Sequence, residues 1–251
     1  MPALVSQAIV LRTYPLKEAD LIVSFLTRDQ GKLRGVARRA RRPKSAFGAG
    51  LERLSQVRMS YFQRETRELV NLDSCELVQS PFRLLSNYAA GVALDYFAEM
   101  SEQLLPPAEP NERWFRLLVA VLDHMQPDEP GSVWRAVTYF TFWAVRLAGF
   151  FPDLDACAGC GRGLEEQAWF GRGCPGLLCR ECRGTLGAGN SWELSGVSRS
   201  LAGEMLRKPV GQLPGSRWSQ AVAADLRRFL VQRIESHIER KLVTVPVLEN
   251  A

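Results

Sequence analysis

The sequence predicts an α+β protein: an N-terminal five-stranded barrel followed by a helical domain that carries an inserted four-cysteine zinc module. Three observations predict it. Over residues 1–80, apolar side chains recur with a period near two, as in strands whose side chains alternate between faces. From Ser80 the period lengthens to about 3.6, the spacing of a helix face. Two Cys-x-x-Cys pairs, Cys157/Cys160 and Cys179/Cys182, then stand eighteen residues apart.

Length and composition fit this division. The 251 residues suffice for one large or two ordinary domains, placed here at 1–80 and 81–251, with the zinc module at 157–182. A hydrophobic content of 46% is that of a globular chain. Six cysteines, four of them in a metal pattern, point to a reducing compartment. The first residues lack a basic stretch followed by an apolar one, so no secretory leader is expected. The most apolar segment, 136–145, is too short to span a bilayer. A cytoplasmic protein with no membrane partner is the expectation.

Five strands are expected in the first eighty residues. Val5 to Arg12 is an apolar run closed by Tyr14-Pro15, and Leu21 to Thr27 is rich in β-branched and aromatic residues. Asp29-Gln30-Gly31 then forms a turn. Lys32 to Ala37 sets Lys32, Arg34 and Val36 on one face, with Leu33 and Ala37 on the other. Gln56 to Tyr61 points Val57, Met59 and Tyr61 inward, and Glu68 to Leu72 supplies the fifth strand. Five short strands in this length suit the OB-fold.

Between the third and fourth strands lies the most basic stretch of the chain, residues 32–47. It carries Lys32, Arg34, Arg38, Arg39, Arg41, Arg42 and Lys44 with no acidic residue among them. One reading is a solvated loop. The other is a nucleic-acid contact: seven like charges repel unless a polyanion offsets them, and guanidinium groups match phosphate oxygens. Pro43, Gly48 and Gly50 favour a loop over a helix. Charge is distributed to match, with fourteen Lys/Arg against eight Asp/Glu over 1–80 (+6), five against ten over 81–156 (−5), and thirteen against nine over 157–251 (+4). An acidic middle leaves any polyanion to the ends and its own surface to protein partners. Phe47, Tyr61 and Phe62 are the aromatics near the strip available for base stacking, although Tyr61 falls on the apolar side of its strand.

Ser80-Pro81 reads as a helix start, with Leu85, Tyr88, Ala89, Val92, Tyr96 and Met100 lining one face up to Pro106-Pro107. Asn111 is placed to cap a second helix, whose stripe is Trp114, Leu117, Leu118, Val121, Leu122 and Met125. A third, from Ser132 to Leu147, is apolar nearly all round and is therefore expected to be buried. Gly184 to Ser191 is a connection, a short helix follows near Ser198 to Arg207, and Pro209 to Pro214 is loop. A last helix is expected from Ser216 to Lys241, with Val222, Leu226, Phe229, Leu230, Ile234 and Ile238 on one side. Arg227, Arg228, Arg233, Arg240 and Lys241 lie elsewhere on it and could extend a basic surface. His237 is expected to be hydrogen-bonded within the helix.

The cysteine spacing is that of a four-thiolate zinc site built on two facing knuckles. Four thiolates, Cys157, Cys160, Cys179 and Cys182, fill a tetrahedron and leave no open position, so the single zinc is expected to be structural. Cys174 lies inside the span without a partner two residues away. A zinc deaminase would need a His-x-Glu segment, which neither His124 nor His237 provides. Glu181 reads as a solvated knuckle residue. No phosphate-binding glycine loop or nucleophile triad is visible either, so no enzymatic activity is expected.

Two segments carry a family resemblance. AIVLRT followed by LIVSFLTRDQGKLRGVARRARRPKS, and FFPDLDACAGCGRG followed by GLLCREC, resemble in content and order the RecO family of DNA-repair and recombination mediators. The resemblance spans most of the chain. It departs from the family at Arg240-Lys241-Leu242-Val243, where many members carry a Lys-Ser-Arg-like motif. The resemblance implies an OB-fold that binds single- and double-stranded DNA, annealing of complementary strands, and work with RecR and single-strand-binding protein to load RecA. A nucleoid-associated cytoplasmic location goes with it. The alternative is a zinc-stabilised OB-fold protein that binds RNA or associates with the ribosome.

Overall fold

The computed structural model describes residues 3–63, 68–186 and 191–251. Part of the 184–191 connection therefore lies outside the described residues. Two compact units emerge: Met1–Leu122 together with Val243–Ala251, and Asp123–Leu242.

In the first unit, strands β1 (Leu4–Pro15), β2 (Leu21–Thr27), β3 (Gly31–Ala37), β4 (Gln56–Phe62) and β5 (Leu69–Gln79) close a barrel in the order β1-β2-β3-β5-β4. All pairings are antiparallel except β3 with β5. This is the OB-fold that five short strands suggested. Alternation fills its interior with Ala8, Val10, Val23, Phe25, Leu33, Ala37, Val57, Met59, Tyr61, Val70 and Leu72. Phe25 and Tyr61 meet edge to face, 6.0 Å between ring centroids, a geometry worth about 0.5–1.5 kcal/mol beyond area burial.

Two strands run longer than expected. Strand β1 continues to Pro15 because Tyr14 and Pro15 still pair with Ile22 and Leu21 across a bulge. Strand β5 extends seven residues past Leu72, carried by pairing with β4 rather than by its own alternation. The turn between β2 and β3 is tied by Thr27, whose Oγ1 accepts from Gln30 N and donates to Gly31 O, both at 2.9 Å. Gly31 has a φ of 75°, and a Cβ there would meet the Glu109 carbonyl at 2.0 Å, so only glycine fits.

Ser80-Pro81 does not open the first long helix. It leads into a 3₁₀ turn, Phe82–Ser86, and α1 (Tyr88–Leu104) starts at Asn87, whose side chain accepts from Ala90 N at 3.1 Å. An extended Asn cap satisfies an orphan amide that the Ser-Pro pair leaves open. Of the expected stripe Val92, Tyr96 and Met100 are buried, and Ala90, Ala93, Leu94, Phe97 and Ser101 widen the buried face, while Leu85 and Tyr88 stay exposed. Helix α2 (Glu112–His124) is capped by Asn111, which accepts from Trp114 N at 3.0 Å. Its stripe is buried as periodicity indicated, and the Trp114 indole donates to Ser101 Oγ at 2.9 Å. The unit closes with α6 (Thr244–Leu248), not expected from the sequence; Glu99 accepts from Val243 N and Thr244 N.

In the second unit, α3 (Ser132–Leu147) has the expected bounds and is buried nearly all round. Helix α4 (Gly196–Arg207) is capped by Ser195, and α5 runs only Ala224–His237. The expected N-terminal extension of α5 instead contains a 3₁₀ turn, Gly215–Arg217, and a left-handed Ala223. That segment packs on the start of α3, where the carbonyls of Gly215 and Trp218 crowd Gly131. Among the described residues the His237 ring has no hydrogen-bond partner; it stacks on Phe150, 4.2 Å between centroids. A two-stranded sheet of β6 (Ala168–Gly171) and β7 (Ser191–Leu194) was not expected. Among the described residues no helix is long and apolar enough to cross a membrane.

Candidate nucleic-acid interface and metal centre

The basic stretch divides into two groups once folded. Lys32 and Arg34 lie on β3 and face α1. Lys32 is only 7% exposed, because the chain at Pro107 and Ala108 lies over it. Its Nζ donates to the Glu102 carbonyl at 2.6 Å. Burial lowers its pKa, opposed by the nearby Glu102 carboxylate. Arg34 reaches within 3.7 Å of the same carboxylate, which is itself 6% exposed. Strand alternation set Lys32 on an outward face, and the helical layer then covered it.

Arg38, Arg39, Arg41, Arg42 and Lys44 form the second group, and all five are exposed. They occupy turns between β3 and β4, with Arg39 and Lys44 in left-handed conformations. Backbone bonds hold the turns: Arg39 N donates to Asp20 Oδ1 at 2.8 Å, Arg41 N to Ala19 O at 3.1 Å, and Arg42 N to Arg39 O at 3.0 Å. Downstream, Cys75 N on β5 donates to Ala46 O, and Phe47 plugs the barrel interior at 4% exposure. Among the described residues no carboxylate lies within ion-pair distance of these five side chains. The side chains are thus presented on a backbone held by these bonds, none of them in an ion pair among the described residues. The placement of Phe47 and Tyr61 (0% exposed) corrects the expectation that either could stack on a base.

The four cysteines converge. The Sγ atoms of Cys157, Cys160, Cys179 and Cys182 all lie within 4.8 Å of one another. The knuckles form because Gly161 N donates back to Cys157 O and Arg183 N to Cys179 O. Short bridges, Ala156 with Gly163 and Trp169 with Leu178, tie each knuckle down. Gly159 N and Cys179 N donate to Cys157 Sγ at 3.4 and 3.3 Å. Burial disfavours the Cys157 thiolate, but these amides and that of Cys160 outweigh it and bring the thiol down to about 6. Hydrogen bonds to Cys179 and Cys160 push the Cys182 thiol up to about 12. Four sulfurs this close cannot all be anionic without a cation between them.

Geometry agrees with chemistry. A tetrahedron of sulfurs each ~2.3 Å from a zinc ion has edges of about 3.8 Å. Cys160 Sγ and Cys179 Sγ are 3.8 Å apart. The donor set therefore fits one tetrahedral soft metal with no open position. Cys174 stays outside, its Sγ donating to Gly176 O at 3.2 Å. Cys75 lies on the barrel, its thiol raised to about 11 by burial. Glu181 pairs with Arg162 rather than standing free.

Family models describe the whole arrangement. Residues 1–81 match "Recombination protein O N terminal" and residues 85–245 match "Recombination protein O C terminal". The protein called DNA repair protein RecO in Koribacter versatilis (strain Ellin345) is 46% identical over 244 residues, covering 97% of each chain. The chain belongs to the RecO family. Proteins of the same name are 33% identical in Symbiobacterium thermophilum, over 96% and 94% of the two chains, and 30% identical in Anaeromyxobacter sp. (strain K), over 93% and 91%. This RecO chain departs from expectation at its last long helix. Arg227 donates to Thr138 Oγ1 and Val222 O and lies over the Trp134 ring. Arg233 donates to Cys174 O, and Lys241 pairs with Glu235. These three cations are engaged within their own unit, and only Arg228 and Arg240 of the expected set remain both exposed and without such a bond. No sequence signal separates engaged from presented arginines, since both are simply basic residues on an amphipathic pattern.

Proposed function

We propose that this chain is a non-enzymatic DNA-binding mediator of recombinational repair. It binds single- and double-stranded DNA through the barrel, anneals complementary strands, and acts with RecR on DNA coated by single-strand-binding protein so that RecA is loaded. The observation that carries the reading is the β3–β4 loop: five exposed cations, none ion-paired among the described residues, on turns held through their backbone amides in an OB-fold. Such a surface tracks phosphates without reading bases, as a mediator indifferent to sequence requires. In this division residues 1–80 supply the phosphate contacts, and the acidic stretch 81–156 offers its surface to protein partners. Cys157, Cys160, Cys179 and Cys182 hold one structural zinc, which fixes the knuckles and takes no part in chemistry. The protein works in the cytoplasm, at the nucleoid.

The test is annealing of complementary oligonucleotides coated with single-strand-binding protein, with and without RecR. The full chain accelerates annealing, and the Arg38/Arg39/Arg41/Arg42→Ala variant does so much less. Tighter binding to structured RNA than to single-stranded DNA, with no annealing, would overturn the proposal in favour of an RNA-binding role.

A further inference from the structure

Phe47 and Tyr61 are buried and Phe62 is half-buried, so among the described residues none of the three candidates beside the basic loop is a fully exposed aromatic. Sequence-tolerant single-strand binding combines cations for the backbone with aromatic faces for the bases. Among the described residues only two aromatic side chains are exposed, Phe82 at 75% and Tyr88 at 69%. Both stand where β5 hands over to α1. Phe82 opens the 3₁₀ turn, its N donating to Ser80 Oγ at 3.2 Å, and Tyr88 is the first residue of α1. Leu85, also exposed, lies over the same first turn: its Cδ2 would be 3.8 Å from a Cβ at Gly91, one turn on from Tyr88. These rings point to water although the neighbouring Leu84 and Ala90 are buried.

Charge and distance decide what covers them. From Leu77 to Leu94 the sequence holds no carboxylate, and Arg83 is its one charged residue. A surface meant for a basic protein would carry acids, whereas one beside a phosphate chain excludes them. The patch also follows directly on the strand that anchors the basic loop. Cys75 bonds Ala46 at the loop's end, and Phe82 follows Cys75 by seven residues. Seven residues span at most about 25 Å. At ~3.4 Å per stacked nucleotide that is about seven nucleotides, inside the 4–16 an OB-fold engages.

We infer that Phe82 and Tyr88 form a base-stacking platform for single-stranded DNA whose phosphates run on to the Arg38–Lys44 loop. This inference rests on the DNA-binding reading and adds to it a base-contacting site just beyond residue 80, on the carboxylate-free start of the stretch otherwise left to protein partners. Duplex DNA, its bases already stacked, gains nothing from the platform.

The experiment compares the full chain with Phe82→Ala, Tyr88→Ala and the double variant on three probes: oligo-dT, an abasic oligonucleotide of equal length, and a duplex. Each substitution weakens oligo-dT binding about 5- to 150-fold. Binding to the abasic strand and the duplex stays at the level of the unsubstituted chain, as does the salt dependence. Phe82→Trp restores oligo-dT affinity, which a loss of folding would not allow. Equal losses on oligo-dT and the abasic strand, or no loss on either, overturn the platform. If the double variant binds oligo-dT normally while the Arg38/Arg39/Arg41/Arg42→Ala variant does not, the platform fails and the DNA reading stands. If the unsubstituted chain binds none of the three probes, both fail. If the double variant instead loses binding to RecR alone, the patch is a protein-docking face and the inference is overturned.

Discussion

Replacing Arg38, Arg39, Arg41 and Arg42 with Ala isolates the electrostatic contribution of the loop with little disturbance to the barrel. The bonds that shape the turns come from backbone amides, Arg39 N to Asp20 and Arg41 N to Ala19, and survive truncation of the side chains. All four side chains are exposed, so the melting temperature should stay near that of the unsubstituted chain. Each phosphate contact contributes about 0.7 to the slope of log affinity against log salt for single strands and about 0.9 for duplex. Four lost contacts therefore remove a slope of about 2.8 and about 3.6 respectively. Between ~50 and ~200 mM salt, these four contacts account for about 50-fold of the unsubstituted chain's loss on single strands and about 150-fold on duplex. The assay is fluorescence anisotropy titration over that salt range, with melting curves on the same preparations. Because backbone contacts carry no base information, oligonucleotides of different sequence should weaken by a common factor. Parallel salt lines at equal affinity would refute the reasoning and turn attention to Arg228 and Arg240. Lys32 and Arg34 are left out of the variant because their charges already face Glu102.

Cys157→Ser and Cys179→Ser should each lose bound zinc and lower the melting temperature, whereas Cys174→Ser and Cys75→Ser should keep the metal; metal analysis with calorimetry checks this, and full stoichiometry in the first pair would contradict the four-thiolate centre. Bound zinc contributes ~10–16 kcal/mol to ordering such a peptide, so chelation should loosen the knuckles before the barrel. Asp225 accepts from Ser195 N and Oγ at 2.8 Å and from Ser198 Oγ, tying the start of α5 to the cap of α4. Burial opposes its ionisation, but these donors prevail and hold the carboxyl below its ordinary 3.8. Its contribution is therefore present above the unfolded value and lost as pH falls through the folded one. Asp225→Ala should cost about 1.5–3 kcal/mol in urea unfolding at neutral pH, with the deficit shrinking in acid; a deficit that persists unchanged below pH 3.8 would contradict the sign.

Periodicity and punctuation made much of the chain legible before folding. The β2 bounds, the Val57–Met59–Tyr61 alternation, the Asn111 cap and the α3 bounds all follow from local pattern, because each depends on residues within a turn or a strand of one another. The cysteine centre was legible for a different reason: metal ligands must come in pairs at knuckle spacing, and few other demands impose that pattern. Where expectation failed, a rival local signal or a distant segment had won. Ser80-Pro81 is a good local helix start, yet Asn87 supplied the cap. The expected α5 extension was overridden by packing against Gly131, 84 residues before Gly215.

What the sequence determined by itself was the kind of most elements, though not of β6, β7 or α6, and the four cysteines that cluster, both consequences of short-range geometry. Which charges face solvent was decided only in three dimensions. Lys32 and Arg42 are equivalent in composition, but a helix and its trailing loop cover one and nothing covers the other. Phe47 and Phe82 are alike in the same way: one fills a barrel end that five strands must close before it exists, and the other is left outside it. Exposure is a property of everything packed around a residue, and in a barrel closed by β1 against β4 that surrounding comes from segments some fifty residues away.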